Sequence, residues 1–214
     1  MKKLAITLCA ALMLPAIASA SLIVEYTFGP LADPGVATAD AVGANLSASA
    51  VTLSAGSVTF GSAQATTWTG SGPWYAQGNA GWAQNTQADA KYFVFTITAN
   101  PGYTFSLTDI SFLYRATAAG PESIGYAING ANITSFGRGS TLTESHVNTL
   151  NLTGLTSAEV RIQGWVPTGG TSSGGGDFRI DDIRLTGTVV PEPGSLALLG
   201  LGALMVLHLR RRKA

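Results

Sequence analysis

The chain has 214 residues, with 12 lysines and arginines, 12 aspartates and glutamates and a single cysteine. That length gives room for one domain with a substantial core. The formal charge is zero, and one cysteine excludes a disulfide framework.

Met1-Lys2-Lys3 is a positive start, Leu4 to Ile17 is an apolar stretch of secretory length, and Ala18-Ser19-Ala20 is a small-x-small cleavage site. Residues 1–20 therefore read as a signal peptide, cut after Ala20 with Ala18 as the other small residue. Leu8 before Cys9 makes a poor lipobox, so lipidation is not expected. Cys9 leaves with the signal, which removes thiolate metal sites and cysteine nucleophiles from the exported part. Between Ser21 and Val189 six cations face eleven anions, a net charge of −5. A mildly acidic surface keeps an exported protein soluble and argues against nucleic acid.

Richness in Gly, Ala, Ser and Thr with little Lys and Glu disfavours helix and favours short strands joined by turns. Leu22–Phe28, Asn45–Leu53 and Ser57–Phe60 read as strands. Thr66–Asn85 reads as a Gly/Trp-rich loop. In Lys91–Ala99 the residues Phe93, Phe95 and Ile97 alternate with Tyr92, Val94, Thr96 and Thr98, the period of a half-buried strand. Asn100-Pro101-Gly102 is turn chemistry. Tyr103–Arg115 is a second long strand, with a kink expected near Asp109. Ser123–Ile128 and Asn132–Phe136 flank Asn129-Gly130, a hairpin signal. Val147–Leu155, Ala158–Val166 and Asp177–Thr186 follow. About ten strands at such spacing point to an all-β fold, a single antiparallel β-sandwich of jelly-roll type over residues 21–188.

Few residues in this domain suit catalysis. His146 is its one histidine, and no nucleophile-elbow motif accompanies it. Asp181 and Asp182 are adjacent, so a regular strand points them to opposite faces and they cannot form a glycosidase pair. Asp181 reads first as a structural hydrogen-bonder, with Arg179 or Arg161 as partner. A second reading builds a calcium site from Asp181 or Asp182 with Asp177 and backbone carbonyls. No other cofactor is expected. Trp68, Trp74, Tyr75 and Trp82, with Trp165 before a flexible Gly169–Gly176 loop, are the candidates for stacking on sugar rings, with Gln77, Asn79 and Gln84 as hydrogen-bond partners. Their competing reading is core and loop anchoring. The glycine loop lacks the Gly-Lys-Ser ending of a phosphate loop.

The tail, 189–214, has three parts. Pro191-Glu192-Pro193 denies the backbone two donors and biases it to an extended form. An apolar run follows, with a membrane helix expected over 195–209. Arg210, Arg211, Arg212 and Lys213 then form a basic stop on the cytoplasmic side. Gly194 to Leu209 is 16 residues, about 24 Å of helix against a hydrocarbon core of about 30 Å. Its seven leucines contribute only about −3 to −4 kcal/mol, which suits a temporary hold.

The order Val190-Pro191-Glu192-Pro193, apolar run, cations resembles the PEP-CTERM sorting signal of Gram-negative bacteria that make an exopolysaccharide. The resemblance implies Sec export, a transient inner-membrane intermediate, and recognition of Pro191, Glu192 and Pro193 by an exosortase, a membrane-embedded transpeptidase. It implies delivery to the cell surface or extracellular matrix. Tyr92 to Thr98 with Pro101 to Leu107, and Phe178-Arg179-Ile180-Asp181-Asp182-Ile183, resemble strands of other secreted PEP-CTERM proteins, the latter with Asp182 where an Asn is usual. That group looks like carbohydrate-binding jelly rolls. The expectation is a non-catalytic surface or matrix protein that contacts exopolysaccharide; the alternative is a secreted polysaccharide-active hydrolase.

Overall fold

Strict alternation in Lys91–Ala99 becomes a strand whose Phe93, Phe95 and Ile97 are buried while Tyr92, Val94 and Thr96 are half-exposed. The same logic builds the rest of the computed structural model, which describes residues 20–28, 37–62, 74–79, 81–138 and 144–192. The signal peptide up to Ser19, Trp68, Pro193, the 195–209 segment and the basic stop lie outside the described residues. Among the described residues there are thirteen strands and no helix, so none long and apolar enough to cross a membrane.

In chain order these are β1 (Ser21–Tyr26), β2 (Ala41–Val42), β3 (Leu46–Ala48), β4 (Thr52–Leu53), β5 (Thr59–Ser62), β6 (Trp74–Asn79), β7 (Lys91–Ala99), β8 (Tyr103–Ala116), β9 (Ser123–Ile128), β10 (Ala131–Gly137), β11 (Glu144–Leu155), β12 (Ser157–Trp165) and β13 (Asp177–Pro191). One sheet runs β11-β8-β13-β1-β2, with β6 on the first part of β13 and β5 on β6. The other runs β10-β9-β12-β7-β3, with β4 also on β7. Every pairing is antiparallel. The result is a two-sheet, jelly-roll-like β-sandwich.

The turn chemistry works as read. Asn129 and Gly130 take φ of 51° and 79°, the left-handed pair of a type I′ hairpin turn between β9 and β10. Gly102 has φ 81° after Pro101, and the Tyr103 N–H closes on the Asn100 carbonyl at 3.1 Å. This turn carries the chain from one sheet to the other. The ladders on both sides of β8 shift register beside Asp109, at the expected kink.

Three departures from the sequence reading shape the sheets. Asn45–Leu53 splits into β3 and β4, both on β7. Trp74–Asn79, read as loop, is a strand, because Ala76 to Asn79 pair with Ile180 to Asp177 of β13. The last strand, expected over Asp177–Thr186, continues past the expected domain limit at 188 and ends at Pro191.

The core lies between the sheets and is rich in aromatic rings. Tyr26, Phe28, Phe93, Phe95, Phe105, Phe112, Tyr126 and Phe178 are all at most 1% exposed. The Tyr26 hydroxyl donates to the Ser49 carbonyl at 2.7 Å, so its burial leaves no orphan. That burial raises its pKa.

Gly187 has no room for a side chain, since an added Cβ would stand 1.8 Å from the Ser106 carbonyl oxygen. Around Gly137 the same test meets nothing within 4 Å. Gly187→Ala should therefore force β8 and β13 apart and cost about 3 kcal/mol. Gly137→Ala should stay within about 0.5 kcal/mol. Urea unfolding of the two variants checks the contrast.

Candidate functional site

β13 changes partners along its length. Asp177–Ile180 lie between β6 and β8, and Ile183–Gly187 lie between β1 and β8. Ser21 pairs Gly187, so beyond that rung β8 is the neighbour that remains. There Thr188 faces Ser106, Val189 faces Phe105, Val190 faces Thr104 and Pro191 faces Tyr103. The Glu192 N–H donates to the Gly102 carbonyl at 2.8 Å. Pro191 supplies no donor, a loss tolerated at a strand end with a free side. Val190 is 44% exposed and Pro191 is exposed, whereas Val189 packs on the core. Hydroxyls fasten the stretch just before: Ser106 Oγ to Thr188 Oγ1 at 2.7 Å, and Thr108 Oγ1 to Thr186 Oγ1 at 3.1 Å. The start of β8 and Gly102, which hold the motif, gave no signal in sequence, because their role arises from register.

The aromatic candidates divide. Trp82 is fully buried, with Phe93 and Phe178 at centroid distances of 6.2 and 5.2 Å. Gly78 and Gly164 let the indole in, since an added Cβ would meet its ring atoms at 2.7 and 3.1 Å. Its Nε1–H donates to the Gly78 carbonyl at 3.3 Å. Lys91 Nζ sits 4.9 Å from the ring centroid and donates to the Asn79 carbonyl at 3.1 Å. Desolvation lowers the Lys91 pKa. Trp165, the last residue of β12, is buried too. Neither ring has a face for a ligand, which corrects that part of the expectation; for Trp82, close glycine backbone lets the core take the indole. Trp74 and Tyr75 open β6, opposite Ser62 and Gly61.

The acidic candidates do not converge. Among the described residues no group of three or more metal-ligating side chains comes together. Asp177 binds Arg179 at 3.2 Å, and Arg161 binds Glu159 at 2.6 Å. Asp181 is fully buried, and its Oδ1 accepts the Asp182 N–H at 2.8 Å. Asp182 has φ 47° at an irregularity in the β8 ladder, a left-handed position that Asp and Asn tolerate best among residues with a side chain. That accounts for an Asp standing where the resembling pattern has Asn.

The glycine loop is held. Glu122 Oε1 accepts from the Thr171 N–H at 2.7 Å, its hydroxyl at 3.0 Å and the Ser172 N–H at 2.5 Å. These bonds, led by that of Ser172, lower the Glu122 pKa. The Trp82 N–H reaches the Gly174 carbonyl at 3.0 Å. Glu122 was not singled out in sequence, and no local pattern marks it.

His146 is walled by rings. It stacks on Phe136 at 4.0 Å and 17°, with Phe112 and Tyr126 centroids at 5.2 and 5.7 Å. Its Nε2 is buried without a hydrogen-bond partner, and desolvation lowers its pKa. Beside it Asn148 Nδ2 donates to the Tyr126 hydroxyl.

Residues 189–213 match the PEP-CTERM protein-sorting motif. No curated protein matches the sequence. Among solved structures, the xylan-binding CBM22-1 domain of Xyn10C from Paenibacillus barcinonensis is 10% identical, covering 80% of this chain and 97% of that one, with a TM-score of 0.42. The CBM22-2 domain of the same protein is 12% identical over 77% and 98% of the two chains, with a TM-score of 0.39. The carbohydrate-binding module CBM36, solved with calcium and xylotriose, is 20% identical over 59% and 98%, with a TM-score of 0.32.

Two outcomes follow. Trp82→Ala should cost about 3–5 kcal/mol by emptying an indole-sized space, a loss of stability readable in urea. A neutral Trp82→Ala would contradict the burial. For His146 the folded pKa lies below the unfolded value of about 6.5. Its contribution is therefore complete above that pH and is lost as pH falls through it, because the unfolded chain binds the proton more readily. The urea midpoint should drop between pH 7.5 and pH 5.5, and His146→Phe should flatten the drop.

Proposed function

We propose that the sandwich is the cargo of its own tail, a non-catalytic protein carried out of the cell and left on the surface or in the extracellular matrix, where it contacts exopolysaccharide. The PEP-CTERM motif at 189–213 implies export through a membrane-anchored intermediate and recognition by an exosortase. One observation carries the reading: the central strand of a sheet runs without a break into that motif, so domain and signal are one continuous element.

Two features favour contact over catalysis. The His146 ring is packed among Phe136, Phe112 and Tyr126 rather than against a nucleophile. Asp181 is fully buried, and its Oδ1 is engaged by the Asp182 N–H within the sheet. With Trp82 and Trp165 in the interior, sugar contact falls to Trp74 and Tyr75 at the start of β6.

The test has two arms. Pro191→Ala with Glu192→Ala should leave the full chain in the membrane fraction, and normal release would remove the sorting reading. Trp74→Ala with Tyr75→Ala should lower retention on exopolysaccharide from the producing cells while the urea midpoint holds. Equal retention would remove the sugar reading and leave the sorting one standing.

A further inference from the structure

We infer that the sorting motif is stored inside the fold: the end of β13 must peel away from β8 before a processing enzyme can take Pro191 and Glu192. The inference rests on the tail being a processing signal, and it adds a condition on when that signal can be read.

Val189, Val190 and Pro191 are rungs of the β8–β13 ladder, and the Glu192 N–H is bonded to the Gly102 carbonyl. An enzyme that binds this segment as an extended peptide pairs with its backbone groups, and cutting within it needs room to close around the strand. With β13 in place, one side is filled by β8, about 4.8 Å away. Only Pro193 and Gly194 then separate the last hydrogen bond from the apolar run at Ser195. Two residues span about 7 Å, so the domain would stand against the bilayer with its motif closed.

Peeling is confined to one strand and a few residues. β8 cannot be the part that moves, because Phe105 is 1% exposed in the core and pairs Leu155 of β11 on its other side. Tyr103 is tied back to Asn100, and Asn100 to Asn45 at 2.9 Å. The end of β13 is different. It has lost β1 beyond Gly187, and Val190 and Pro191 are exposed. Behind it the Thr188–Ser106 and Thr186–Thr108 hydroxyl pairs act as a stop. Release of Val189 to Glu192 frees four residues and adds about 13 Å of reach. Strand ends held by one ladder open at the low-stability end of the range within a fold. The enzyme then meets only the open fraction, and its apparent affinity falls in proportion.

The experiment follows release of the full chain from cells that process it, by pulse and chase. Thr104→Cys with Val190→Cys places thiols at facing positions of the ladder. In its oxidised form release should slow at least about tenfold relative to the same variant reduced, each scaled to wild type in the same medium. Six Gly/Ser residues inserted between Thr188 and Val189 should detach the motif from the register and speed release. Protease resistance of both variants establishes that the sandwich has folded. Equal release of the locked and reduced forms, or no gain from the insertion, would overturn the storage inference. Glu192→Ala alone, assayed beside them, should stay in the membrane whatever the redox state; its normal release would instead overturn the signal reading on which the inference stands.

Discussion

One antiparallel ladder, β8 with β13, fixes the geometry of everything else. Twelve Cα partners join these strands, from Phe178–Ala116 to Pro191–Tyr103. Of two irregularities, the one at Asp182 falls where the strand passes from β6 to β1, and the other lies before Gly187. Each irregularity has its own residue requirement: a side chain that accepts φ 47° at Asp182, and no side chain at Gly187. The inner face of this strand supplies Phe178, Ile180, Ile183 and Leu185, all fully buried, to the core.

The ladder also sets the molecule's polarity. Ser21 and Pro191 lie toward the same end, with the turns Asn100–Gly102 and Asn129–Gly130. The Trp82 stretch, Glu122 and the glycine loop lie at the opposite end, beside Asp177 and Ala116. The Trp82 stretch and the glycine loop are thus far from the end that carries the motif. Those loops are braced, since a single carboxylate gathers two backbone donors and a hydroxyl. Their shape is therefore preset for whatever they meet.

Local pattern made part of this legible. The alternation of β7, the Asn129-Gly130 turn and the tripartite tail are each written in neighbouring residues. What sequence missed depends on distant partners. β6 is a strand because β13 lies beside it, and Trp82 is interior because Gly78 and Gly164 stand close. The surroundings of His146 come from β8, β9 and β10, so its burial has no signature near position 146. The last strand outruns its expected end at Thr186 because a proline is tolerated at a strand end when its missing donor is turned away from β8. Adjacent Asp181 and Asp182 were read on a regular strand, whereas the left-handed residue at 182 breaks that regularity.

The strand at the middle of its sheet is also the last to leave the ribosome. β1, the first stretch of the exported domain to emerge, has to wait for Ile183–Gly187, near the other end of the chain, before its longer ladder can form. A chain threaded outward from its N-terminus thus cannot close this sheet until residues 183–187 have crossed. By then the greasy tail is next in line at the exit. Completion of the fold and arrival of the tail in the lipid are consecutive events in one passage, separated by only a few residues of travel.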